Sequence, residues 1–224
     1  MSAERAAGRP TRSAPSVVED DVPRRLRAER ERRGISLREL ARRLGISPSA
    51  VSQIETGRAR PSVTTLWAIV TELGMSLDDL FQQETGAERG GAGHAPGARA
   101  APVVTERTRE VIRLATGVRW GRLTAEADPD VDFIWVDYEV GGSSSPDDGL
   151  VRHAGREYGL VLTGELEVTV GFETSVLGAG DSISFDSTTP HRLRNVGDEP
   201  VTGVWVVIGR RGPDPRTAAP GAGG

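Results

Sequence analysis

The chain has 224 residues, a length that allows one large domain or two modest ones. It carries 28 basic and 32 acidic residues, and the net charge of −4 excludes a uniformly basic nucleic-acid-binding surface. Lysine and cysteine are both absent, so disulfides, thiolate metal sites and cysteine nucleophiles are excluded. No apolar run approaches the ~20 residues of a membrane span, and the N-terminus lacks the apolar stretch of a signal peptide. These features predict a soluble, cytoplasmic protein with no membrane partner.

The two parts of the chain differ in charge and composition. Residues 1–83 carry 14 arginines and 11 acidic residues, a balance of +3, whereas the remainder carries 14 arginines and 21 acidic residues, a balance of −7. The stretch between them is rich in glycine, alanine and proline, which is typical of a flexible linker. This pattern predicts two domains, at 21–83 and 106–210, with a linker at 84–105 and disordered tails at 1–20 and 211–224.

The first domain has the periodicity of helices. Apolar residues recur at i, i+3, i+4 and i+7 from Leu37 to Leu44, a spacing that places them on one helix face. Ser36 is positioned to cap this helix, with Glu39 as its capping-box partner, and Gly45 ends it. Similar signals predict a fold of five short helices. The other four are an arginine-rich helix from about Val22 to Arg33, one from Ser47 to Thr56, one carrying Leu66 to Leu73, and one that follows Ser76.

Residues 34–62, GISLRELARRLGISPSAVSQIETGRARPS, place two helices on either side of a tight turn. The second helix begins with the small residues Ser47, Pro48 and Ser49, which would enter a DNA major groove without a clash. Ser52 and Gln53 are placed to reach base edges, and glutamine is a good bidentate partner for adenine. Residues 22–62 also carry 11 arginines against 4 acidic residues, a balance of +7 that suits phosphate. Candidate phosphate contacts are Arg42, Arg43, Arg58 and Arg60.

The motifs LARRLGIS, SAVSQIE and GRARPS resemble the helix-turn-helix of the Xre/Cro-like repressor family, across residues 22–83. The resemblance implies that the helix from Ser47 to Thr56 reads bases, that Glu55 is structural, and that a dimer binds double-stranded DNA at a pseudo-palindromic operator. One position departs from the family, because Leu37 stands where a phosphate-contacting glutamine is common. The alternative is a small helical bundle whose arginines are merely solvated.

The second domain has the periodicity of strands. Apolar and polar residues alternate strictly from Glu165 to Val170, which is the signature of a half-buried strand. Glycine-containing turns separate the runs, and many short strands divided in this way predict an all-β sandwich or closed barrel. The other strand-like runs are Val131 to Val140, Asp181 to Phe185, Pro190 to Val196 and Val201 to Ile208.

The segments RHAGREYGLVLTGELEV and GAGDSISFDSTTPHRLRN resemble the two motifs of the cupin superfamily, over residues 105–210. The resemblance implies a double-stranded β-helix, or jelly-roll barrel. Carried over residue by residue, it implies that His153, Glu157 and His191 match three of the four metal-ligand positions. Val151 occupies the fourth position and cannot bind a metal.

Strand alternation agrees with this assignment. If the segment from His153 to Glu157 is extended, both side chains project from one face, and His191 shares a face with the apolar Leu193. Two histidines and a carboxylate with open positions suit Fe(II) and also accept Mn, Ni, Co or Zn. The alternative is that these polar side chains bind an organic ligand or one another.

Together the two resemblances predict a sequence-specific transcriptional regulator whose cupin barrel binds a small-molecule or metal effector. By resemblance to cupins, this second domain is also expected to form the homodimer. The alternative is a mononuclear iron enzyme similar to the phosphonate epoxidases, in which His153, Glu157 and His191 would hold the metal. The sequence shows no obvious inward cluster of cationic side chains to hold a phosphonate, which favours the regulator.

Overall fold

The computed structural model describes residues 21–81, 102–126, 128, 130–146 and 149–209. The predicted tails at 1–20 and 211–224 and most of the predicted linker lie outside the described residues. Within the described ranges, no helix is both long and apolar enough to cross a membrane. We call residues 21–81 the helical domain and residues 102–209 the strand domain.

The helical domain contains the five predicted helices, Ser36 and Ser47 form the caps predicted for them, and Ser62 forms a further one. The hydroxyl oxygens of Ser36, Ser47 and Ser62 each accept a hydrogen bond from the backbone N–H three residues on, at 3.1 Å. These bonds satisfy N–H groups that have no partner within the helix. The helices are α1 (Val22–Arg32), α2 (Leu37–Leu44), α3 (Pro48–Glu55), α4 (Val63–Glu72) and α5 (Leu77–Phe81).

The capping box predicted at the start of α2 is only half formed. Ser36 accepts the backbone N–H of Glu39, but the Glu39 carboxylate turns instead to the guanidinium groups of Arg42 and Arg43. Two charged partners one turn away are stronger donors than a backbone N–H. The complete form occurs at α5, where Ser76 caps the Asp79 N–H and the Asp79 carboxylate accepts the Ser76 N–H at 2.6 Å.

A buried ion pair joins α1 to α3. Nε of Arg30 donates to Oε1 of Glu55 at 2.7 Å, and Nη2 donates to Oε2 at 2.9 Å. A further Arg30 nitrogen donates to the Ile35 carbonyl oxygen at 2.9 Å, which fixes the turn before α2. Glu55 is therefore structural, as the sequence predicts. Its carboxylate compensates the arginine charge within the apolar core that surrounds Leu26 and Val51.

Nine strands form the strand domain within the described residues, and every pairing is antiparallel. The strand order is β1-β2-β3-β9-β4-β7 in one sheet and β6-β5-β8 in the other. The strands are β1 (Val111–Arg113), β2 (Val118–Arg122), β3 (Val131–Tyr138), β4 (Arg156–Thr163), β5 (Leu166–Val170), β6 (Glu173–Leu177), β7 (Ser182–Asp186), β8 (His191–Asn195) and β9 (Val201–Ile208).

The two sheets pack face to face, so the predicted all-β domain takes its two-sheet form. Trp120, Val136 and Trp205 of the larger sheet and Leu166 and Leu193 of the smaller sheet are all buried between them. Among the described residues, isolated bridges at 143–194 and 151–191 link the smaller sheet to neighbouring loops, rather than a continuous ladder. This core holds the candidate site.

Five of the nine strands coincide with the predicted runs, and four were missed. β1 and β2 are short, and β6 is exposed along almost its whole length, so it has no apolar face to reveal it. In β4, most of the large apolar side chains face outwards and not towards the core. Its buried residues include Glu157 and Gly159, whereas Tyr158, Leu160 and Leu162 are exposed.

Replacement of Arg30 by alanine is expected to lower the free energy of unfolding of the helical domain by about 3–5 kcal/mol, because it leaves the Glu55 carboxylate buried and uncompensated. Arg27→Ala is the matched control, since Arg27 pairs with Glu31 on the surface, and it is expected to change stability by less than about 1 kcal/mol. Urea denaturation followed by circular dichroism measures both. Equal losses in the two variants would contradict the assignment.

Candidate metal centre and nucleic-acid interface

The two sheets bring the three predicted metal ligands together. Glu157 lies in β4 of the larger sheet, His191 begins β8 of the smaller sheet, and His153 lies in the loop that precedes β4. Nε2 of His153 is 3.0 Å from Oε1 of Glu157, and Nε2 of His191 is 3.1 Å from the same oxygen. All three side chains are buried, and their ligand atoms lie within 4.8 Å of one another.

The sequence prediction was wrong about how His153 reaches this position. The segment from 153 to 157 is not a continuous strand, because the chain bends at Ala154 and Gly155 before β4 begins. Gly155 adopts a φ of +114°, a conformation that side chains with a Cβ rarely adopt. Burial still alternates through the bend, and His153 and Glu157 both face inwards.

Backbone carbonyl groups set the tautomer of both histidines. Nδ1 of His153 lies 3.0 Å from the Ala154 oxygen, and Nδ1 of His191 lies 2.9 Å from the Thr189 oxygen. A carbonyl oxygen can only accept, so each Nδ1 carries the hydrogen and each neutral ring directs the Nε2 lone pair inwards. Oε1 of Glu157 has no other hydrogen-bonding partner within the described part of the chain. Three buried lone-pair donors that converge in this way fit a cation.

The electrostatics of the cluster follow from this geometry. Burial raises the pKa of Glu157, but the hydrogen bonds and positive charge of His153 and His191 lower it by more, so it lies well below its ordinary value. Burial lowers the pKa of His191, but the hydrogen bond and negative charge of Glu157 raise it by more. Metal binding requires the neutral form of each imidazole, so a metal ion competes with a proton for His191.

A tryptophan that the sequence analysis did not single out orients the carboxylate. Nε1 of Trp205 donates to Oε2 of Glu157 at 2.7 Å, which directs Oε1 towards the histidines. The indole fits only because residue 159 is glycine, since a Cβ there would lie 2.2 Å from the ring. The sequence could have identified Trp205 as an inward-facing residue, because alternation along β9 places it on the same face as Val207. Hydrogen bonds of this kind commonly support metal ligands.

A second missed residue comes from the helical domain. The indole of Trp67 in α4 stacks on the His153 ring, with centroids 4.0 Å apart and planes inclined at 14°. The apolar stripe predicted for this helix contains its neighbour Leu66, so Trp67 lies beside the stripe. The only local indication of this contact was a large aromatic residue next to an apolar stripe that already accounted for the buried face of the helix.

α3 presents the predicted base-reading side chains on one side. Ser49 and Gln53 are one turn apart and exposed, Ser52 is half-buried, and Val51 and Ile54 face the core. Ser47 is exposed, but its hydroxyl oxygen is used as the cap of α3. The structure thus places Ser49 and Gln53 together on a free helix face, with Ser47 at the end of the helix.

The four predicted phosphate contacts are all exposed, at the end of α2 and in the loop after α3. Arg42 and Arg43 both pair with Glu39, and Arg43 also pairs with Glu72 at 2.7 Å. Hydrogen bonds from Arg42 and Arg43 lower the pKa of Glu39 to about 2, so this carboxylate is ionised at neutral pH. Arg58 and Arg60 lie further along the chain, beside the junction of the two domains.

Comparison with known proteins agrees with this architecture. Residues 26–80 match the helix-turn-helix family, and residues 134–207 match the cupin domain family. The HTH-type transcriptional regulator PuuR of Escherichia coli is 26% identical over 174 residues, which cover 77% of this chain and 86% of PuuR.

Two solved structures align with most of this chain. An HTH_3 family transcriptional regulator from Vibrio cholerae aligns with a TM-score of 0.61 at 21% identity, covering 87% of this chain and 98% of that one. Hydroxypropylphosphonic acid epoxidase from S. wedmorenis aligns over 85% of this chain and 98% of its own at 22% identity, but with a TM-score of only 0.40. The chain therefore combines a helix-turn-helix domain with a cupin domain, and over 77% of its length it is similar to an HTH-type transcriptional regulator.

Proposed function

We propose that this protein reads its operator with the exposed face of α3 and binds a divalent metal ion in the strand domain as part of its regulation. The observation that carries the first part is the position of Ser49 and Gln53, one turn apart on a helix face that no other element covers. Gln53 pairs with adenine in the major groove, and Ser49 and Ser52 contact neighbouring bases. An operator on chromosomal DNA places the protein in the cytoplasm.

The arginines around α3 position the helix on the DNA backbone. Arg58 and Arg60 follow α3 directly and contact phosphates on one side of the groove, while Arg42 and Arg43 contact phosphates at the other end of the turn. Phosphate replaces Glu39 as the partner of Arg42, so binding through α2 exchanges one ion pair for another. The contribution of Arg58 is therefore expected to exceed that of Arg42.

The metal site combines two imidazole nitrogens and one carboxylate oxygen. This set suits Fe(II) and is also compatible with Mn, Co, Ni or Zn, because it mixes borderline and hard ligands and leaves coordination positions open. Val151 stands at the fourth ligand position of the family and supplies only an apolar wall. His153, Glu157 and His191 would hold the ion, which would supply a fixed double positive charge beside the buried Glu157 carboxylate.

We favour regulation over catalysis for this site. The cavity beside the three ligands is lined mostly by apolar side chains, among them Val63, Ile134 and Leu193, and none of its described lining residues is an arginine. Arg152 and Arg156 are exposed and face away from it. A phosphonate would have no cationic side chain to bind it there, which argues against the epoxidase alternative.

The outer face of the larger sheet supports assembly with a second copy of this chain. Phe133, Tyr158, Leu160, Leu162 and Ile208 lie on three adjacent strands and are each between 38% and 43% exposed. Register places Phe133 and Tyr158 on either side of the same β9 residue, so the apolar band is continuous across the sheet. A band of this kind is typical of a protein interface. A homodimer would supply the two α3 helices that a pseudo-palindromic operator requires.

Gln53→Ala is expected to reduce the discrimination between a selected operator and scrambled DNA by about 1–3 kcal/mol, with non-specific binding unchanged. Arg58→Ala is the matched variant, and it should weaken binding to both DNAs equally and lower the slope of log K against log salt by about 1. Fluorescence anisotropy at several salt concentrations, on an operator selected from random DNA, measures both. Unchanged discrimination in Gln53→Ala would overturn base reading by this helix.

Trp205→Phe is expected to weaken binding of Co(II) by about 10- to 100-fold, because Glu157 loses the donor that orients it. Trp135→Phe is the matched control, since its indole N–H also donates to a carboxylate, that of Asp137, away from the site. His191→Ala should abolish stoichiometric binding. Isothermal titration calorimetry measures all three variants, and cobalt binding by His191→Ala equal to that of the wild type would refute the ligand assignment.

Leu160→Arg is expected to weaken self-association at least about tenfold, since it places a charge at the centre of the apolar band. Val176→Arg is the control, because Val176 is an exposed aliphatic residue on the other sheet. Sedimentation equilibrium gives the dimer dissociation constants. If Leu160→Arg remained as dimeric as Val176→Arg, the interface would lie elsewhere.

A further inference from the structure

The helical domain is joined to the strand that carries a metal ligand. At the N-terminus of α4, the backbone N–H and the hydroxyl of Thr64 both donate to the carbonyl oxygen of Ser144, at 3.1 and 3.0 Å. The Ser144 hydroxyl oxygen in turn accepts the backbone N–H of Leu193 at 3.1 Å, and the Ser144 N–H donates to the Leu193 oxygen at 2.9 Å. Leu193 lies two residues after His191 on β8, so α4 and His191 are connected through Ser144.

One turn further along α4, Trp67 covers one face of the His153 ring. Its ring lies parallel to the His153 imidazole at 4.0 Å, and Trp120 meets the same indole edge-on at 6.0 Å. Only 4% of Trp67 is exposed, and the His153 ring covers one face of its indole. A residue of the helical domain is therefore packed directly on a metal ligand of the strand domain.

The space beside the three ligands is small. The cavity has a volume of about 30 Å³, and its lining includes Val63 and Trp67 of α4 as well as His153, Glu157 and His191. This is enough for about one or two water molecules. Pockets that take an organic metabolite measure roughly 300–1,000 Å³. The docked helical domain leaves no room for such a ligand.

We infer that Trp67 closes the metal site, so that the docked protein admits a metal ion and water-sized ligands and excludes organic molecules. This inference rests on the metal site proposed above, and it specifies which class of ligand that site admits. Any ligand larger than water must move the indole of Trp67 off His153 before it can occupy an open coordination position. Because Trp67 belongs to α4, such a ligand also shifts the helical domain relative to the strand domain.

This arrangement gives the protein a physical route from ligand to DNA. A ligand that fits only when α4 is displaced stabilises the displaced state by the difference in its affinity for the two states. A metal ion held by the three ligands would fit the docked state without displacing Trp67. The site therefore distinguishes ligands by size, and the helical domain itself forms the barrier.

The test uses the full chain loaded with Co(II), whose visible absorption changes when a ligand enters the coordination sphere, and imidazole as the bulky probe. Trp67→Ala is expected to bind imidazole at least tenfold more tightly than the wild type at unchanged cobalt stoichiometry. Trp67→Phe keeps a ring over His153, so its affinity should lie between the two. Trp135→Phe, on the outer face of the sheet, should match the wild type.

The outcomes separate this inference from the proposal on which it rests. If the wild type and both Trp67 variants bind cobalt and then bind imidazole equally well, Trp67 does not close the site, although the metal site stands. If the wild type binds no cobalt, both the metal site and its closure by Trp67 are overturned. If the alanine variant does not fold, a Trp67→Phe affinity equal to that of the wild type overturns the inference.

Discussion

Burial of one carboxylate is the constraint on which the rest of the strand domain depends. Glu157 lies between two sheets, where an uncompensated charge is costly. Its two oxygens therefore have different partners. Oε2 accepts the Trp205 N–H, and Oε1 faces the two histidines. Gly159 makes room for the indole that provides this bond. Oε1 has no other hydrogen-bonding partner within the described residues, so it is the atom of this carboxylate that a cation would approach.

The same constraint extends into the helical domain. His153 faces Glu157 on one side and the Trp67 indole on the other, so the candidate metal site and α4 share one imidazole ring. Ser144 joins the start of α4 to β8, the strand that begins with His191. Two domains that the composition divides by a linker are thus in direct contact through hydrogen bonds and ring stacking.

Much of this architecture is predictable because it depends on local patterns. Ser36 and Ser47 cap helices where the spacing expects them, and His191 faces inwards because Leu193 does. β6 escaped prediction since neither face of it is buried. β4 escaped because its exposed face carries Tyr158 and Leu160, which cover the outer side of the sheet instead of the core. Alternation reveals which side chains share a face, but an apolar face can cover an interface as well as a core.

The sequence by itself determined the two domain types, the exposed face of α3 and the identity of the three candidate ligands. Each of these follows from spacing within a short segment, and such spacing survives in any fold that forms the helix or strand. Only the tertiary structure decided that Trp205 holds Glu157 and that Trp67 covers His153. Those contacts join residues far apart in the chain, and their distances depend on how two sheets and a helix pack. No periodicity within one segment encodes that packing.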